Sequence, residues 1–226
     1  MTNNEIAPQN TRFMAILLSF LGGALDVYCH IHFHSLVATQ TGNIVLLIAD
    51  LHPDNWENTW IKLTSIFCFS IGFVLGIIIR EKSKTPLWRA YSLIPLLLVT
   101  AITPILFNLS YLIVGLLGVG TGLMMLTFSD SQIESHPFTI MMTSGNYRKM
   151  LSSWYRFFHF SSEREKIKRQ AVNYTIVVVS FVIGALIVAL MDRLVNQWAI
   201  FSVTLCLTLV IYENIKIINK AHKNSN

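Results

Sequence analysis

A chain of 226 residues with 53% hydrophobic and 13% charged side chains, at a mean hydropathy of +0.54, carries more apolar surface than one soluble globule can bury. A water-soluble domain is excluded, and the composition points to a bilayer. The formal charge of +5 sits in clusters between apolar runs, which is a topology signal and a poor sign of nucleic-acid binding.

Residues 1–11 are polar and read as a disordered tail; no small-residue cleavage pattern follows, so the first helix is expected to be retained. Crossing about 30 Å of hydrocarbon takes about 20 residues. Phe13–His34 meets that length, although Asp26 lies inside it. An ionisable group there needs an interior face, a partner or water. A hydrogen bond to the following segment is one option; hydration at the outer interface is the other. His30, His32 and His34 come next, but only His30 and His34 share a helical face and no cysteine ligand is near. They read as an interfacial polar cluster, and neither a metal nor a cofactor is expected.

Thr41-Gly42-Asn43 then precedes Ile44–Leu51, two apolar turns that end at Asp50 and His52-Pro53. That is too short to span and predicts a half-helix dipping into the membrane. Apolar runs follow at Ile61–Ile79, Ala90–Phe107 and Tyr111–Ser129, and after residues 131–170 come Ala171–Met191 and Val195–Tyr212. Within 131–170 the triplet returns as Ser144-Gly145-Asn146, followed by Tyr147, Met150, Leu151, Trp154, Phe157 and Phe158 at helical spacing. Arg148, Lys149 and Arg156 fall elsewhere on the wheel, so an amphipathic helix at the inner surface is predicted. Asp130 and Glu134 read as solvated carboxylates. Cys29, Cys68 and Cys206 are scattered and form no disulfide framework.

The chain divides near Asn108 into two similar halves, a repeat at 12–108 and another at 109–217, with a tail at 218–226. Phe73-Val74-Leu75-Gly76 is echoed by Phe181-Val182-Ile183-Gly184. Arg80, Lys82, Lys84 and Arg89, the basic run at 148–169, and Lys216, Lys220 and Lys223 fall on one side of six spans, whereas residues 35–59 contain no Lys or Arg. Both termini are then cytoplasmic. Three spans per copy invert the second copy relative to the first. The expected fold is an all-α membrane protein of six transmembrane helices as two inverted three-helix repeats, each with a short re-entrant or interfacial helix after its motif.

Glycine permits a tight turn, Thr or Asn can cap a helix, and the free amides at a helix start present partial positive charge. Such an end can hold an anion or polar group where irregular backbone lines a cavity. The expected substrate site is Asp26, Thr41, Gly42 and Asn43, with Ser144, Gly145 and Asn146 as the pseudo-symmetric partner. No phosphate loop, H-E-x-x-H or G-x-S-x-G occurs, and no catalytic residues are assigned.

Gly22-Gly23-Ala24-Leu25-Asp26-Val27 followed by Leu36-Val37-Ala38-Thr39-Gln40-Thr41-Gly42-Asn43 resembles the motif of the bacterial YoaK family of small integral-membrane proteins. There a Gly-x-x-Asp segment precedes a Thr-Gly-Asn loop, and the likeness covers essentially the whole chain. It departs in the second half, where Gly122 is followed by Leu123, Met124 and Met125 in place of polar residues. The resemblance implies placement in the bacterial plasma membrane and leaves the substrate open. The reading is a small transporter or permease-like protein; the alternative is a non-transporting scaffold or accessory subunit. Expected partners are the bilayer, anionic headgroups at the cytoplasmic face, a small-molecule or ion substrate and, as an open alternative, a second copy of the chain, with no nucleic acid.

Overall fold

The computed structural model describes residues 8–51, 55–83, 85, 87–141, 143–159 and 163–224. His52-Pro53, most of the N-terminal tail and the last two residues lie outside the described residues. The chain forms α1 (Arg12–Phe33), α2 (Gln40–Ala49), α3 (Trp56–Lys82), α4 (Trp88–Ser92), α5 (Ile94–Ile102), α6 (Ser110–Thr127), α7 (Ser144–His159), α8 (Arg164–Val195) and α9 (Phe201–Asn224). A small hairpin of β1 (Gln132–Ile133) and β2 (His136–Pro137) precedes α7. Four stretches are long and apolar enough to cross a membrane: Arg12–Phe33, Trp56–Lys82, Ser110–Thr127 and Arg164–Lys220. The protein is a helical membrane protein. The fourth stretch is α8 and α9 joined by a 3-10 turn at Asn196–Ile200.

Local chemistry sets the boundaries. The Thr11 hydroxyl accepts from the Met14 amide at the start of α1, and His34 closes that helix in the left-handed region, its amide donating to the carbonyls of Cys29 and His30. Part of the expected tail is structured: Pro8–Asn10 form a 3-10 turn, Gln9 is buried, and the Asn10 side chain accepts from the Gln132 amide. The C-terminal tail expected from residue 218 is likewise helical to Asn224, because α9 continues without a breaker. The apolar run at 90–107 is divided, with Pro95 in the first turn of α5.

In lipid no hydrophobic force drives helices together, so close packing must. α3 lies along α6, and α1 along α8. Each crossing rests on two glycines facing opposite backbones: Gly72 against the Val119 carbonyl and Gly122 against that of Phe69, Gly23 against Phe181 and Gly184 against Phe20. A Cβ at any of the four would fall within 3.0 Å of the facing oxygen. The two crossings match: Gly122 follows Gly23 by 99 positions and Gly184 follows Gly72 by 112. The sequence echo aligns Gly76 with Gly184, one helical turn away from the pairing that the packing makes.

Ion pairs mark the two ends of the bundle. At one, the basic end, Glu134 meets Arg12 and Arg169, and Asp130 meets Arg80 and Arg89. At the other, His32 meets Asp192 at 2.6 Å and the buried Lys62 meets Asp50 at 2.5 Å. α1 therefore runs away from the basic end and α6 toward it.

Replacing Gly122 by Ala should separate α3 from α6 and cost about 1–3 kcal/mol. Gly145 has nothing within 4 Å of an added Cβ. Gly145→Ala should be neutral or stabilise by up to about 1 kcal/mol through helix propensity. Thermal unfolding in detergent distinguishes the two.

Candidate functional site

Between α1 and α2, residues 35–39 cross the interior as irregular backbone, and side chains bond most of its polar groups. One Asp26 carboxylate oxygen accepts from the amides of Val37 at 3.0 Å, Ala38 at 2.8 Å and Thr39 at 3.3 Å, while the other accepts the Thr39 hydroxyl. This is the hydrogen bond to the following segment that the sequence left open, and Asp26 is only 6% exposed. Successive amides of this kind form an anion seat. Here the protein's own carboxylate fills it.

Asn43 clamps the same strand from the far side. Its Oδ1 accepts from the Leu36 amide at 2.7 Å and its Nδ2 donates to the Leu36 carbonyl at 2.5 Å. Ser65 of α3 also donates to that carbonyl, and the Thr121 hydroxyl of α6 and Gln40 Nε2 donate to the carbonyl of Val37. The second motif repeats the clamp. Asn146 Oδ1 accepts from the Thr139 amide at 3.1 Å and its Nδ2 donates to the Thr139 carbonyl at 2.6 Å. Both asparagines reach back seven residues and both are buried, while the leading Thr41 and Ser144 are exposed.

The motif glycines act differently from expectation. Gly42 and Gly145 lie in the first helical turns and neither has a positive φ. The tight turns fall upstream instead, at His34 and Met141, where φ is 51° and 57°. The aromatic face predicted for α7 is also divided. Tyr147, Leu151, Tyr155 and Phe158 are exposed, whereas Trp154 donates from Nε1 to Thr175 of α8 at 2.9 Å.

The two clamped loops meet at a cavity of about 370 Å³. Gln40 and Thr41 line it from the first joint, Thr139 and Ile140 from the second, Phe69 and Phe73 from α3, Met125 from α6 and Ser129 from the turn after α6. Of the predicted site residues, only Thr41 lines the cavity. Asp26, Asn43 and Asn146 shape the loops that do, and Gly42, Ser144 and Gly145 lie outside the lining. Thr39, Gln40, Ser65 and Thr139 were missed because each becomes significant only through a long-range contact; the sole available signal was the matching spacing around the two asparagines.

A family model described as a protein of unknown function, DUF1275, matches residues 14–212. The chain belongs to the DUF1275 family. Neither the comparison with curated proteins nor that with solved structures gives a match.

In this DUF1275 chain Glu134, read from sequence as a solvated carboxylate, is a hub. It accepts two hydrogen bonds from Arg169, at 2.5 and 2.7 Å, and one from Asn173 at 3.0 Å, with Arg12 at 3.2 Å. It reaches them from a turn in which Glu134 and Ser135 both have positive φ, 50° and 72°, a strained pairing for residues with side chains.

Asp26→Ala leaves three amides and a hydroxyl without their acceptor and should cost about 3 kcal/mol or more. Asp26→Asn keeps one acceptor oxygen and should cost about 1–2 kcal/mol. A double-mutant cycle of Asp26→Asn with Thr39→Val should return a coupling of about 1 kcal/mol, and one with Thr41→Val should return nearly none.

Hydrogen bonds from Arg169, opposed by partial desolvation and joined by the Asn173 bond and the charges of Arg12 and Arg169, together lower the Glu134 carboxyl to about 2. A lowered pKa stabilises the fold above the ordinary value of 4.5, and the contribution is lost as pH falls toward about 2. The difference in Tm between the native chain and Glu134→Gln should be constant near neutrality and shrink through that window.

Proposed function

We propose that this is a six-span protein of the bacterial plasma membrane, built as two inverted three-helix repeats, which passes a small molecule through the cavity between its two clamped loops. The observation that carries the reading is that cavity, where both motif joints converge between α3 and α6. A binding site at the interface of such repeats, edged by short helices and unwound backbone, is the usual arrangement in secondary transporters.

The repeat reading is supported by the matched asparagine clamps and by the reciprocal glycine crossings, both of which relate one half to the other. Six crossings follow if α8 and α9 each span and α4 with α5 forms a short sixth pass. At about 1.5 Å per residue α8 and α9 are each long enough. The 57 residues of Arg164–Lys220 exceed two bilayer thicknesses, so a single crossing would leave an apolar helix in water. The basic end faces the cytoplasm by the positive-inside rule. There the clustered Arg148, Lys149, Arg156, Arg164 and Lys168 suit anionic headgroups. The YoaK name belongs to this reading, as does the absence of catalytic chemistry.

A scaffold or accessory role is the second reading. It is favoured by the bonds of Asp26 and Asn43 inside the protein, which occupy most of their hydrogen-bonding capacity.

Two measurements test the proposal. Cysteines introduced at Asn55 and Glu165, in a background without native thiols, should react from opposite sides with an impermeant maleimide; reaction from one side ends the inverted-repeat reading. Vesicles containing the native chain, incubated with labelled cell extract, should accumulate at least one solute that vesicles with Met125→Trp do not. Identical profiles would favour the scaffold.

A further inference from the structure

We infer that the central cavity takes an uncharged molecule with a flat apolar body and a hydrogen-bonding end. This deepens the transport reading, on which it rests for the ligand's movement and not for its binding. Three features of the wall select this chemistry.

Among the described residues, no charged side chain lines the cavity. The nearby loop carboxylate, Asp26, is enclosed by three amides and a hydroxyl, so it offers no counter-charge. An ion entering this space would give up water without a partner, which is costly in an apolar surrounding. An anion meets a further obstacle, because the seat of amides before α2 is already occupied.

Phe69 and Phe73 lie one turn apart on α3 with their rings nearly parallel, at a centroid distance of 6.4 Å and an angle of 24°. They give one wall a flat aromatic character. Met125, from α6, supplies a flexible and polarizable side chain that favours contact with ring edges.

The rim is polar but neutral. Thr41, Ser129 and Thr139 are exposed there, and their hydroxyls make no hydrogen bond with another described residue. They come from three separate segments, α2, the turn after α6 and the loop before α7, so a group seated among them can both donate and accept. A volume of about 370 Å³ is that of a small-ligand site.

Benzamide, benzoate and benzamidinium have nearly the same size and plane but carry no charge, a negative charge and a positive charge. With purified full-length protein in detergent, calorimetric titration should show saturable benzamide binding at least about tenfold tighter than either ion. Met125→Trp, which fills the cavity, should abolish that binding; should it not fold, Thr139→Trp at the exposed rim serves instead. The assignment is overturned if either ion binds as tightly as benzamide, if benzamide binding survives in the filled variant, or if none of the three saturates. Benzamide binding without solute accumulation in vesicles would remove the transport reading and leave this one standing. Accumulation of a charged solute alone, lost in Met125→Trp, would do the reverse.

Discussion

Irregular backbone inside a bundle of apolar helices has no water to bond with, and each unpaired amide or carbonyl there costs several kcal/mol. That constraint governs the centre of this protein. Residues 36–39 can cross the interior because Asp26, Asn43, Gln40, Ser65 and Thr121 supply the missing partners from four different helices. Asparagine suits the clamp because its amide presents a donor and an acceptor side by side, matching the amide and carbonyl of one peptide residue. Once Leu36 is held, α2 must begin deep in the bundle and return toward the end it came from. Its shortness follows from where it starts.

The second loop solves the same problem with less. Asn146 holds Thr139 as Asn43 holds Leu36, and Tyr174 and Lys149 both donate to the Pro137 carbonyl. The 99-residue offset that relates Gly23 to Gly122 places Met125 where the first half has Asp26, so no carboxylate gathers the amides beyond Thr139. Met141 instead sits in the left-handed region with its backbone pressed on Gly22. The two clamped loops thus differ at their centre. One loop is fixed by a buried carboxyl group, and the other by packing and a single amide clamp. Fewer polar bonds make the second loop the softer wall of the cavity.

The apolar runs were legible because hydropathy over about 20 residues is a summed property that no single contact can overrule. The half-helix after Thr41-Gly42-Asn43 was legible for a related reason, since a run of two apolar turns is too short to cross whatever surrounds it. The role of the motif was only half legible. Its glycine suggested a turn, yet the turn lies upstream at His34, where the end of α1 already requires the left-handed region. Its asparagine does the work, through a bond seven residues back that local pattern cannot reveal. Glu134 was misread because its partners Arg12, Arg169 and Asn173 are brought to it only by the packing of α1 on α8.

The two ends of the bundle differ in a way that bears on access. Away from the basic end, Tyr28, His32, Phe33 and Phe107 pack ring against ring, Tyr28 donates to the Gln197 carbonyl, and Gln197 donates to that of Pro104. These contacts join α1 to the turns that follow α5 and α8, closing that end with an aromatic layer. Toward the basic end, Ser129 and Thr139 remain exposed on the cavity rim. The cavity is therefore more open on the basic side. A path through the protein would require the aromatic layer to part, and the His32–Asp192 pair crosses that layer between α1 and α8. Opening there would have to break a charge-assisted hydrogen bond and separate two helices held at Gly23 and Gly184, so the tight crossing of α1 with α8 resists that opening.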